Sequence, residues 1–192
     1  MPEETVVLYF ERPGRENTDR ILQAALKRAI ALGIDHVVVA STSGRTALRA
    51  VELARQTGYP GRLVVVGEHA GFTKPGEQLL SPEARQALEA AGARIVIGTH
   101  ALSSAARAFR LKYGGISILE VVADTLRLFS QGVKVAVECS LMAADAGAVP
   151  VDRDIIAVGG TGSGSDSALV LRAANQNRFL DMKIREIIGM PR

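Results

Sequence analysis

Apolar residues in this chain gather into short unbroken runs. Between the runs lie stretches in which apolar positions recur every three or four residues. The runs Thr5–Phe10, His36–Ala40, Leu63–Gly67, Arg94–Gly98, Val133–Glu138 and Ile155–Gly159 are mostly Val, Ile and Leu. A strand covered on both faces has that composition, because neither side of its pleat meets water. The periodic stretches predict helices over Thr18–Leu32, Arg45–Thr57, Pro82–Ala91, Ser103–Lys112 and Ile118–Gln131. Regular alternation of the two predicts an α/β fold in three α/β/α layers, with a mostly parallel sheet of right-handed βαβ units. Two late runs, Ala168–Ala173 and Ile184–Ile188, are joined by polar Asn175–Arg178 and predict closing strands, at least one of them antiparallel at the sheet edge.

Local signals set the helix boundaries. Ser81-Pro82-Glu83 supplies a capping hydroxyl, a proline where no N–H is needed and an acid near the positive end of the helix dipole. Ser117 and Glu120 form a capping box after the Gly114-Gly115 turn, and Gly132 is expected to end the helix that follows. Thr73–Pro82 reads as a surface connection placed where a lid could sit.

In an open parallel sheet, ligands bind beyond the carboxyl ends of the strands. The residues expected there are polar. The first strand leads into Gly14, Arg15 and Asn17, the second into Ser41, Thr42, Ser43, Gly44, Arg45 and Thr46, and the third into His69, Gly71 and Phe72. The fourth leads to His100, the fifth ends at Glu138, and the sixth runs into Gly159, Gly160, Thr161 and Gly162. All are candidate ligand-binding residues. Ser41–Thr46 is a hydroxyl-rich turn opening a helix, which suits a phosphate, although the same residues also serve as plain helix caps. Gly159–Gly164 has four glycines in six residues, more than a turn needs. No GxxxxGK[ST] follows a strand, and the glycine-rich stretch enters a strand, so neither nucleotide fingerprint is met.

Composition narrows the class. The 192 residues, 47% hydrophobic and 22% charged, suit a single globular domain over 1–192. A single cysteine, Cys139, leaves no internal disulfide and suits a reducing compartment; it reads as a small buried apolar residue. The acidic opening lacks the basic and apolar regions of a signal peptide, and no apolar run has membrane-spanning length, so a cytoplasmic protein without membrane contact is expected. A scattered net charge of +3 and few aromatics argue against nucleic acid. His69 and His100 have no metal-like partners at helical spacing. Glu138 or Asp145 could face the crevice as an acceptor or base, or could equally be capped or ion-paired. Ser163 lacks the strand-to-helix setting of a hydrolase nucleophile.

The segment Ser41-Thr42-Ser43-Gly44-Arg45-Thr46-Ala47 after its strand resembles the phosphate-gripping turn of the pyruvate kinase C-terminal domain, and Val158–Gly164 is similar to that domain's effector loop. Across nearly the whole chain, Pro13–Thr18, Met142–Pro150 and Glu186–Arg192 resemble stand-alone archaeal and bacterial pyruvate kinase α/β-domain-like proteins. That resemblance implies bound FMN as cofactor, its phosphate gripped by Ser41, Thr42, Ser43 and Thr46. The tryptophan and arginine of the kinase's effector loop are absent where Gly159, Gly160 and Thr161 stand, so a sugar bisphosphate is not expected. Kinase catalysis belongs to a barrel of about 250 residues, longer than this chain. A flavin-dependent oxidoreductase and a regulatory sensor of a phosphorylated metabolite both stay open, and an exposed edge strand or helix pair leaves room for a homo-oligomer.

Overall fold

The computed structural model describes residues 4–103 and 105–192. The acidic opening Met1–Glu3, and Ser104 inside the expected helix Ser103–Lys112, lie outside the described residues. Strands and helices alternate: β1 (Leu8–Phe10), α1 (Thr18–Leu32), β2 (His36–Ala40), α2 (Arg45–Thr57), β3 (Arg62–Glu68), α3 (Pro82–Ala90) and β4 (Arg94–Gly98). Three helices follow in succession, α4 (Ala106–Tyr113), α5 (Ile118–Arg127) and α6 (Gln131–Asp145), before β5 (Asp154–Gly159), β6 (Ser167–Arg172) and β7 (Lys183–Pro191).

The strands form one seven-stranded sheet in the order β1-β7-β6-β5-β2-β3-β4. Antiparallel pairing is confined to β6 against its neighbours β5 and β7, on the β1 side of the sheet. The remaining pairings are parallel, as in β2, where Val38 lies beside Val64 on one side and Ala157 on the other. Alternate residues of the central strands enter two separate cores. One face carries Val37, Val39, Val65, Ile156 and Val158 against α1, α2 and α3. The other carries Val38, Val64, Val66, Ile155 and Ala157 against α6 and the inner side of α5. A sheet covered on both faces is what unbroken Val/Ile runs require.

From β2 the chain winds outward through β3 and β4, then returns through α6 to place β5 on the opposite side of β2. The direction of winding therefore reverses between β2 and β5. In such folds that reversal opens a crevice at the carboxyl ends of the strands.

Three expectations need correction. Val133–Glu138 is not a strand but the first half of α6, so Glu138 sits on a buried helix rather than at a strand end. The run reads as a strand because α6 is covered on most sides, and a helix without a wet face shows the same continuous apolar sequence. Ser130 caps it, accepting the Val133 amide at 3.0 Å, so the expected helix Ile118–Gln131 stops at Arg127 and a new one begins. Gly132 does not end a helix. It lies in the first turn of α6, where a Cβ would come 2.2 Å from Asp166 Oδ1, and only glycine permits that approach.

Candidate functional site

A cleft of about 1080 Å³ opens at the carboxyl rim, between the loops after β2, β3, β4 and β5 and the inner sides of α5 and α6. Its volume suits a mononucleotide-sized ligand, since small-molecule pockets run from ~300 to ~1,000 Å³. Two loops meet where the winding reverses: the Ser41–Thr46 turn after β2 and the Gly159–Gly164 loop after β5.

The Ser41–Thr46 turn is shaped by its own residues. The buried Ser41 hydroxyl accepts the Ala47 amide at 3.2 Å, folding the turn back onto the start of α2. Gly44 caps α2 with φ of +88° and packs so closely on Leu80 and Ala84 that a Cβ would lie within 3 Å of both. Thr42 donates to Glu68 at 3.3 Å, and Arg45 Nε donates to the Ser43 hydroxyl at 3.3 Å. Among the described residues, the amides of Ser43, Gly44, Arg45 and Thr46 have no protein acceptor. Unpartnered amides at a helix N-terminus, with the dipole behind them, form an anion site.

The second loop is organised differently. Asp166 is fully buried, and its Oδ2 accepts both the Gly14 amide and the Thr161 amide at 3.1 Å. Its Oδ1 accepts the Ser167 hydroxyl at 3.0 Å, and Ser167 in turn meets Ser130, the cap of α6, at 2.9 Å. Ser165 N donates to the Thr18 hydroxyl at 3.0 Å. One carboxylate thus ties the loop after β1, the loop after β5 and the start of α6 together. The hydroxyls of Thr161 and Ser165 are buried without a partner.

The cleft wall is strongly cationic. Some of that charge is already paired: Arg110 with Glu120 at 2.6 Å, Arg127 with Asp124 at 2.6 Å, Arg49 with Asp19 at 2.6 Å, and buried Lys134 with Glu138. Glu138 also accepts the Leu102 amide at 2.9 Å. Arg15, Arg45 and Arg107 line the cleft with no carboxylate partner among the described residues. Arg107 stands over the Phe72 ring at 5.6 Å, and Phe72 contacts His100 with ring centroids 5.0 Å apart. Burial holds His100 below the usual imidazole range, so it is neutral at pH 7. Burial pushes the Cys139 thiol up to about 12, which leaves no thiolate nucleophile.

Of the sequence-predicted residues, Ser41, Thr42, Ser43, Arg45, Thr46, Arg15, Phe72, His100, Glu138, Gly160 and Gly162 line the cleft. Gly14 serves through its amide on Asp166, and Asn17 turns away to the Arg12 carbonyl. His69 stands behind, 5.9 Å from His100. Gly71 closes a turn with Glu77, Gly44 packs under the cleft, and Gly159 packs against α6. Thr161 is held by Asp166 rather than facing the cleft. Sequence reasoning missed Lys134, Arg107, Arg110, Arg127 and the junction at Asp166. A helical reading of 131–145 would have found Lys134, since Lys134 and Glu138 then fall four residues apart on one face.

Residues 19–171 match the family described as pyruvate kinase, alpha/beta domain. The chain belongs to that family. Among solved structures, pyruvate kinase from Cryptosporidium parvum in complex with ADP is 15% identical over 96% of this chain, with a TM-score of 0.38. A hydrogen sulfide-producing enzyme from Fusobacterium nucleatum is 25% identical over 52% of this chain, with a TM-score of 0.30. This pyruvate kinase alpha/beta domain covers 24% and 31% of those two chains. Among the described residues, no group of three His, Cys, Asp or Glu side chains could hold a metal ion, and no helix is long and apolar enough to cross a membrane.

Proposed function

We propose that this domain binds a phosphorylated small molecule in the rim cleft, with the phosphate on the Ser41–Thr46 turn, and that FMN is the ligand. The observation that carries the reading is that the amides from Ser43 to Thr46 have no acceptor among the described residues, on a turn that lines the same cleft as Arg15 and Arg45. A dianion meets both a helix dipole and guanidinium donors there.

The residues present fit FMN. The cleft continues from the turn towards Phe72, His100 and Arg107, where a planar ring would find aromatic and guanidinium faces, and apolar Leu102 and Met142 line the same wall. The Lys134–Glu138 pair offers donor and acceptor atoms to ring or ribityl groups. A bound flavin would supply hydride or single-electron transfer. The protein's own residues would bind the phosphate, orient the ring and shield it from water.

Titration of the purified domain with FMN and riboflavin, read by flavin fluorescence and thermal shift, tests the reading. FMN is expected to stabilise the fold, by about 2.7 kcal/mol at a hundredfold excess over Kd, and riboflavin much less because it lacks the phosphate. No response to FMN sinks the flavin assignment. A second reading, a regulatory sensor of a sugar phosphate or nucleotide, rests on the same open amides and cleft guanidinium groups, which would hold the phosphate of either ligand. The same assay with sugar phosphates and nucleotides separates the two. A sugar phosphate or nucleotide that stabilises more than FMN selects the sensor.

A further inference from the structure

We infer that a second cavity, on the rim of the sheet opposite the cleft, binds a small phosphorylated molecule. Strand β6 runs antiparallel to β5, so Arg172 at its end lies beside Asp154 at the start of β5, a strand length of ~17 Å from Gly159. There the chain leaves β6 through Ala173, Ala174 and Asn175, turns over Gln176–Asp181 and re-enters the sheet at Lys183. A cavity of about 500 Å³ opens inside this bend, within the range of small-molecule pockets.

The charge around it is unbalanced. Arg172 and Lys183 both line the cavity, and they are direct cross-strand partners in the β6–β7 register. Like charges directly opposite on a sheet repel, so the pairing is unfavourable until an anion lies between them. No acid of the chain supplies that anion, since among the described residues neither side chain has a hydrogen bond or an ion pair. The nearby carboxylates are committed to other cations. Asp154 is held by Arg185 at 3.5 Å, Asp152 by Arg153 at 3.8 Å, and Asp181, the carboxylate that lines the cavity, by Arg178 at 2.6 Å.

The backbone points to the same chemistry. Among the described residues the amides of Ala173, Ala174 and Asn175 have no protein acceptor, although Ala173 is only 2% exposed and Ala174 only 4%. Buried N–H groups are almost always paired, so open donors beside a cavity suit an acceptor from outside the chain. The stretch is firmly placed. Asp145, at the end of α6, accepts the Gln176 amide at 3.0 Å and Asn175 Nδ2 at 3.2 Å, which uses its charge to fix this bend and not in the cleft. A guanidinium fork, an ammonium and open amides together match a phosphate, and Val151, 45% exposed in the same lining, gives an organic group an apolar contact. The recess does not suit a flat membrane or a nucleic-acid duplex. None of these residues lines the cleft, so the inference stands apart from the ligand reading given above.

Titration of the full chain with inorganic phosphate at constant ionic strength, followed residue by residue in amide NMR spectra, tests the site. The amides of Ala173, Ala174 and Asn175 are expected to shift and saturate, with a Kd below ~10 mM. Arg172→Gln and Lys183→Gln should each raise that Kd roughly tenfold or more, as loss of a charge-assisted hydrogen bond does, while any response at Ser43–Thr46 stays as in the parent. Shifts that never saturate, or that sodium chloride reproduces, overturn the inference. So does a Kd unmoved by Lys183→Gln, a change at an exposed position that the fold should tolerate.

Discussion

The two glycine-bearing loops at the cleft look alike in sequence and differ in what their amides do. In the Gly159–Gly164 loop and its continuation, the amides of Thr161, Ser163, Ser165 and Asp166 find acceptors within the protein, while those of Gly160, Gly162 and Gly164 find none among the described residues. In the Ser41–Thr46 turn, four consecutive amides find none among the described residues. The first loop spends its ordered donors on holding itself to Asp166 and Thr18 and has its open amides scattered among glycines. The second keeps four consecutive donors open at a helix N-terminus, the arrangement that suits an anion. Glycine content alone does not separate the two; the destination of each N–H does.

The contrast can be broken most forcefully at Asp166. Asp166→Ala leaves two amides and the Ser167 hydroxyl without their acceptor in a buried setting. The expected loss is about 3–5 kcal/mol in urea denaturation, with both flanking loops loosened to hydrogen exchange. An unchanged midpoint would mean that Asp166 does not organise the wall. Gly132→Ala attacks the same junction from α6 by driving a methyl into the Asp166 carboxylate, for about 2–3 kcal/mol of destabilisation. Phosphate affinity should survive in whatever fraction stays folded.

At the Ser41–Thr46 turn the proposed function reverses the balance, with small stability effects and large binding effects. Ser43→Ala removes a hydroxyl that makes one long contact with Arg45, so the fold should hold while FMN binding weakens roughly tenfold, and Ser43→Asp should be worse through charge repulsion. Equal affinity in parent and variants, measured by fluorescence titration, moves the phosphate elsewhere. Gly162→Ala should have the smallest effect. Its φ is +70° but a Cβ there meets nothing within 4 Å, so only backbone strain of about 1 kcal/mol is expected in urea denaturation.

Sequence alone showed the alternation of strands and helices, the two loops and the turn residues, because each depends on neighbours a few positions away. It failed at α6 for a physical reason. Val133, Val135 and Val137 favour strands when read locally, but the Ser130 cap and burial on most sides of 131–145 override that preference. Asp166 was equally hidden: Thr161 and Ser167 are its near neighbours, but Gly14, the partner that makes it a junction between loops, lies 152 residues away and no local pattern announces it.

The pairing of β1 with β7 has a consequence in time. Leu8 finds its sheet partner in Gly189, so β1 leaves a ribosome long before the strand it pairs with is made. At 5–20 residues per second that wait is on the order of ten seconds or more, and closing so long a loop is itself slow. The Gly14 amide waits nearly as long for Asp166. The central parallel strands can pair earlier, so the Ser41–Thr46 turn would be in place while the wall opposite it was still unformed. A nascent chain arrested before β6 should therefore show a protected α2 and an unprotected loop at 11–17.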